Sequence, residues 1–134
     1  MPVGLLIITH SEVGKALLGT AVRMLGLCPL RTERLDVPLD ADPETLGEQA
    51  RALCAELDAG DGVLVLTDLY GSTPCNVAQR LLGRARVQVV AGINLPMLVR
   101  VLNYPTLDLW ELTTKAVTGG HDGILICEDP GASG

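Results

Sequence analysis

Phenylalanine is absent from the 134 residues, and the aromatics amount to one Trp and two Tyr. The core must therefore be aliphatic, built from Leu, Val, Ile and Ala. So few rings also argue against a surface that stacks single-stranded bases. Positive charge is scarce too: 10 Lys and Arg against 16 Asp and Glu leave a formal net charge of −6, which disfavours nonspecific attraction to nucleic acid or anionic lipid. The four cysteines, Cys28, Cys54, Cys75 and Cys127, include no CxxC pair. Zinc-site and redox spacings are thus missing, and the reading is buried or half-buried reduced thiols in a reducing cytoplasm. No metal and no cofactor is expected. No apolar run approaches the roughly 20 residues of a membrane span. The opening "MPVGLLII" lacks the basic region and the length of a signal peptide.

What is present is a regular alternation. Val3–Ile8 reads as a fully buried strand. Ser11 suits a cap for the next helix and Glu12 its first turn, with Val13, Leu17, Ala21, Met24 and Leu25 as the inward stripe. "ERLDV" (33–37) is a short strand. Asp42-Pro43 is a cap followed by a first-turn proline, and Leu46, Ala50, Leu53 and Leu57 recur behind it. "GVLVLTD" (62–68) is a second strongly buried strand. Thr73-Pro74 has the form of another cap plus proline, with Val77, Ala78, Leu81 and Leu82 inward. "RVQVVAG" (86–92) is a strand, 94–102 and 107–118 are helical, and Gly119-Gly120 is expected to stop the last helix. "GILIC" (123–127) reads as a final short strand. Strands alternating with helices of this length predict an α/β fold: an open, mostly parallel sheet of about five strands with helices on both faces, in order 2-1-3-4 plus an edge strand. Residues 1–128 are expected to form one domain and 129–134 a flexible tail.

In an open parallel sheet, ligands gather at the carboxyl ends of the strands, where the strand order reverses. His10, one of only two histidines, follows the first strand, and Asp68 closes the third. In the order 2-1-3-4 both reach one crevice. Imidazole is a competent nucleophile near neutral pH. A carboxylate on one ring nitrogen fixes the tautomer and leaves the other nitrogen's lone pair facing outward. A histidine that accepts and passes on a group fits these residues better than hydrolysis does. The loop "DLYGSTPCN" (68–76) adds an anion site. Ser72 and Thr73 offer hydroxyls, Gly71 allows close backbone approach, and Pro74 opens a helix whose first amides favour phosphate. The loop is neither GxxxxGK[ST] nor GxGxxG, which disfavours ATP and dinucleotides. His121, in "GGHDG", is read as a plain surface residue in a turn.

The segments "LLIITHSEVGKALL", "GVLVLTDLYGSTPCNVAQRLL" and "VVAGINLPMLVRVL", with "GGHDGILI" after them, span nearly the whole chain. Together they resemble the IIA component of the mannose-type (mannose, fructose, sorbose) sugar phosphotransferase system. The resemblance implies that His10 carries the phosphoryl group, that Asp68 orients it, and that Thr73 is the hydroxyl before the loop proline. It places Asn94 in the same crevice, with Tyr70 and Gly71 lining it. Ser72 departs from the Gly or Ala more frequent in the family, and Tyr70 stands where some members have Trp or Phe. The implied activity is phosphoryl transfer from the phosphocarrier HPr to His10 and on to a IIB component, here a separate protein. The implied setting is a cytoplasmic homodimer, with the last strand at or across the interface and neither nucleic acid nor membrane insertion involved. A stand-alone regulatory phosphoprotein would use the same residues, and gene neighbours separate the two readings. A non-catalytic flavin- or nucleotide-binding domain would betray itself by colour or by copurified nucleotide.

Overall fold

Leu5, Leu6, Ile7 and Ile8 are all wholly buried, as in a strand covered on both faces. In the computed structural model, which describes residues 2–84 and 86–133, they lie in β1 (Gly4–His10). The chain continues through α1 (Val13–Leu25), β2 (Thr32–Val37), α2 (Pro43–Leu57), β3 (Val63–Thr67), α3 (Thr73–Gln79), β4 (Val87–Ala91), α4 (Leu95–Leu102) and α5 (Leu109–Asp122), ending in a 3-10 turn (Pro130–Ser133). The sheet is four-stranded, in order β2-β1-β3-β4, and every pair is parallel. Strand alternation divides the core in two. Leu5, Ile7, Leu64, Leu66 and Val90 pack with Ala21, Leu98, Val101, Leu112 and Ala116 on the side of α1, α4 and α5. Leu6, Ile8, Leu35, Val37, Val63 and Val65 pack with Leu46, Ala50, Val77 and Leu81 on the side of α2 and α3. Each wholly buried Leu or Ile contributes roughly 1.5–3 kcal/mol of transfer free energy, so an aliphatic core without Phe suffices.

The expected fifth strand is not formed among the described residues. Residues 124–129 have no regular structure, and Ile124, Leu125 and Ile126 are 75%, 79% and 94% exposed. The run has strand composition, but strands need partners, and among the described residues it pairs with none. The glycines before it do not stop the helix either. α5 continues through Gly119 and Gly120 to Asp122 and carries His121 in its last turn. These glycines serve close approach instead: a Cβ would sit 2.6 Å from Arg100 Cβ at Gly119, 2.9 Å from Met97 Cε at Gly120, and 2.3 Å from Pro96 Cβ at Gly123. They let α5 lie directly on α4.

Helix starts also differ from expectation. Ser11 adopts φ 44° and does not cap α1. Its N–H donates to the Val37 carbonyl at 2.8 Å. Glu12 is the N-cap residue but makes no capping bond. The cap comes from the strand: the wholly buried Thr9 accepts from the Gly14 N–H on Oγ1 at 2.7 Å. At α3 the N-cap is Ser72, and Thr73 is already the first helical residue. The inward stripes shift as well. Val13, Met24 and Leu82 are exposed, while Gly14, Ala21, Leu17, Leu18 and Leu25 face the core from α1. Of the thiols, Cys54 and Cys75 are buried but Cys28 and Cys127 are exposed.

Candidate active site

β1 is flanked by β2 and β3, so its last residue stands at the middle of the sheet's carboxyl edge. The alternation that sends Leu6 and Ile8 to the α2–α3 side sends His10 there too, while Thr9 turns to α1. β3 ends one residue before Asp68. The two side chains meet as expected, across 58 positions of sequence: Asp68 Oδ2 lies 2.9 Å from His10 Nδ1 and accepts the His10 backbone N–H at 3.0 Å. The other carboxylate oxygen, Oδ1, accepts the Leu69 N–H at 3.0 Å. The carboxylate is thereby fixed in plane by two backbone amides and a ring nitrogen.

Burial alone pushes the Asp68 carboxyl up. The bonds from the His10 amide and ring, and then from the Leu69 amide, outweigh it and hold the group below the ordinary aspartate range. An ionised carboxylate only accepts, so the neutral ring facing it must carry its proton on Nδ1. The lone pair is then on Nε2. The His10 side chain is 34% exposed against 15% for Asp68, so the carboxylate is the more shielded of the two. His121 has no such setting. Its side chain is 87% exposed, and its ring lies 3.5 Å from the adjacent Asp122.

The loop 68–72 leads into α3. Gly71 takes φ 84°, a left-handed conformation that costs glycine nothing and turns the chain so that the Ser72 N–H returns to the Leu69 carbonyl. Ser72 Oγ donates to that same carbonyl at 2.5 Å, so its proton is engaged inside the loop. Thr73 is exposed, and among the described residues its hydroxyl has no partner. Tyr70 is 76% exposed.

Asn94 is differently employed. Its Oδ1 accepts the Met97 N–H at 2.8 Å and its Nδ2 donates to the Gly120 carbonyl at 3.1 Å, pinning the start of α4 to the end of α5. The Gly92 and Ile93 amides donate to the Thr67 carbonyl at 2.9 and 3.0 Å, so the loop before α4 is tied to the end of β3. Sequence reasoning missed Thr9, whose hydroxyl sets where α1 begins beside His10. The signal was a polar residue in an otherwise apolar run. Among the described residues no group of three His, Cys, Asp or Glu is placed to hold a metal ion, and no helix is long and apolar enough to cross a membrane.

Known proteins are similar to this chain in sequence and in fold. The sequence model of the EIIA-man family, described as the PTS system fructose IIA component, matches residues 4–110. The PTS system mannose-specific EIIAB component of Escherichia coli (strain K12) is 36% identical over 129 residues, covering 92% of this chain and 39% of that protein. The chain thus spans well under half of that relative's length. The fructose-specific EIIA component of Bacillus subtilis (strain 168) is 34% identical over 88 residues, 64% of this chain and 60% of that protein. Among solved structures, the mannose/sorbose-specific IIA subunit from Enterococcus faecalis superposes with a TM-score of 0.86 at 26% identity, covering 97% of this chain and 98% of that one. The PTS IIA protein associated with the fucose utilization operon of Streptococcus pneumoniae gives 0.78 at 27% identity, covering 92% and 91%. Matched by the family's model over most of its length and by a 36% identical relative over 92% of it, the chain belongs to the EIIA-man family, the mannose- and fructose-type IIA components of the sugar phosphotransferase system.

Proposed function

We propose that the chain is a cytoplasmic phosphocarrier that takes a phosphoryl group from phospho-HPr onto His10 and gives it to a IIB component. The observation that carries this reading is the 2.9 Å contact between His10 Nδ1 and an Asp68 held ionised. In the transfer, the Nε2 lone pair forms a bond to phosphorus as the bond between phosphorus and the donor breaks, and the donor keeps the electron pair. Asp68 stabilises the positive charge that develops on the ring. The return step runs the same way, with His10 as the leaving group. Family membership supports the pairing with HPr and IIB. Incubation with phosphoenolpyruvate, enzyme I and HPr should add one phosphate to the intact mass, labile in acid and stable in alkali. A mass that stays unmodified sinks the reading.

A phosphoryl group beside Asp68 needs compensating donors, and no Lys or Arg occurs between Glu56 and Gln79. We assign that role to the Thr73 hydroxyl and the first amides of α3. Ser72 joins them only by exchanging its bond to the Leu69 carbonyl for one to phosphate. Charge-assisted hydrogen bonds contribute roughly 1.5–3 kcal/mol each. Thr73→Val, which keeps the shape and removes the donor, should slow uptake from phospho-HPr about 10- to 100-fold. An unchanged rate in stopped-flow quench would move the cradle elsewhere, first to the 92–94 loop with Asn94. We further propose a homodimer in which the exposed 124–127 segment covers an open sheet edge, since unpaired apolar strands are a liability.

A further inference from the structure

Two residues, Ser11 and Glu12, join β1 to α1, and both ends of that link are fixed. The Ser11 N–H is held by the Val37 carbonyl at 2.8 Å, and the Gly14 N–H by Thr9 Oγ1 at 2.7 Å. Gly14 lies so close on β1 that a Cβ there would sit 2.8 Å from Ile7 Cγ2 and 2.9 Å from Thr9 Oγ1. The short link turns through a left-handed residue, and that residue is Ser11, with φ 44°. Glycine takes this conformation freely, whereas a residue with a Cβ takes it at a cost. The non-glycine residues that tolerate it best are Asn and Asp, not Ser. Among the described residues Arg86 is the other non-glycine residue with a positive φ. The fold therefore accounts for the backbone at position 11 and not for its side chain. Capping does not account for it either, because Thr9 makes the bond that a cap would make. Ser11 is exposed, and among the described residues its hydroxyl has no partner. Strain of this kind gathers at functional sites, and here it adjoins His10.

We propose that the Ser11 hydroxyl donates a hydrogen bond to the phosphoryl group carried by His10, as a donor from the β1–α1 link that complements Thr73 at the start of α3. This rests on the phosphocarrier reading above. The need is electrostatic. Ser11 shares a hollow of about 250 Å³ with Glu12, Asp36 and Pro38. Asp36 is paired with Arg34 at 2.9 Å, but Glu12 is exposed and forms no ion pair among the described residues. A phosphoryl group on His10 thus meets negative charge from the link as well as from Asp68. A hydroxyl offsets it through a charge-assisted hydrogen bond and brings no fixed positive charge that the return step would have to overcome. Because the backbone of the link is held at both ends, the hydroxyl needs only rotation about χ1 to turn toward a group on the neighbouring ring, and a short side chain loses little freedom in doing so.

The test combines two substitutions of opposite backbone effect with two phosphoryl donors. Ser11→Ala removes the hydroxyl and keeps the Cβ. Ser11→Gly removes the hydroxyl and relieves the backbone, so a defect shared by both variants belongs to the hydroxyl. The donors are phospho-HPr at limiting concentration and phosphoramidate, a small molecule that phosphorylates histidine without docking. Both variants should take up phosphate about tenfold more slowly than the wild type, or slower still, from either donor. Either variant matching the wild type with both donors would overturn the proposal and reduce Ser11 to a turn residue. A loss confined to phospho-HPr would make Ser11 a contact of the protein donor and overturn it too. In both cases the wild type still accepts phosphate from phospho-HPr, and the phosphocarrier reading stands. A wild type that takes no phosphate from phospho-HPr would overturn that reading and this proposal with it.

Discussion

His10→Ala should take up no phosphate from phospho-HPr, with a rate lowered by at least about 10³-fold, as when a nucleophile is removed outright. His121 is the only other histidine, and nothing around it would let it substitute. It projects from the last turn of α5 into solvent, and among the described residues the one polar partner of its ring is the adjacent Asp122. It has neither a fixed tautomer nor donors for a phosphoryl group. The substitution itself is mild for the fold, because the His10 side chain is one-third exposed and lies at the edge of the core. Far-UV circular dichroism should therefore match the wild type while the intact mass stays unmodified. Phosphate appearing on His10→Ala would remove this histidine from the mechanism.

Asp68→Asn is expected to slow transfer by about 10²-fold or more, from the loss of a fixed tautomer and of charge stabilisation. The amide can present its NH2 to Nδ1, which forces the proton onto Nε2 and removes the nucleophilic lone pair. It also fails to balance the positive ring that forms at the transition state. A pH signature should accompany the kinetic one. Asp68 has a folded-state pKa below its unfolded value. Its contribution to stability is thus fully present above the unfolded pKa, near about 4, and is lost as pH falls through the lower folded pKa. Urea midpoints measured between about pH 3 and 5 should fall more steeply for the wild type than for Asp68→Asn. Parallel curves would mean that the carboxylate is not held in its ionised form by the His10 and Leu69 amides.

Much of this arrangement was legible in the sequence because the sheet is parallel and doubly covered. Buried strands such as Leu5–Ile8 and Val63–Leu66 stand out as uninterrupted apolar runs, and the 2-1-3-4 order follows from the commonest winding of such units. That order alone brings His10 to Asp68. What the sequence could not disclose were choices made by tertiary neighbours. Gly119 and Gly120 look like a helix stop, yet they are glycines because Arg100 and Met97 leave no room for a Cβ. Ser11 has the chemistry of a cap, but Thr9 reaches Gly14 first from inside the strand. "GILIC" has the composition of a strand, and composition does not supply a partner. Ser72 and Asn94 offer donors to the crevice on paper, whereas in the fold their side chains bond to the Leu69 and Gly120 carbonyls.

The separation of 58 positions between the two halves of the site also bears on how the protein comes into being. Parallel strands cannot be joined by a hairpin, so β1 meets β3 only after a long stretch of chain has been closed, and the entropy of that closure falls due before any contact rewards it. A chain emerging from the ribosome as far as α2 already contains His10 and its whole first βα unit, but no carboxylate to orient the ring. The His10–Asp68 pair therefore has no partial form. It exists only once β3 has taken its place beside β1, and on the phosphocarrier reading proposed above every incomplete species before that moment lacks an oriented ring.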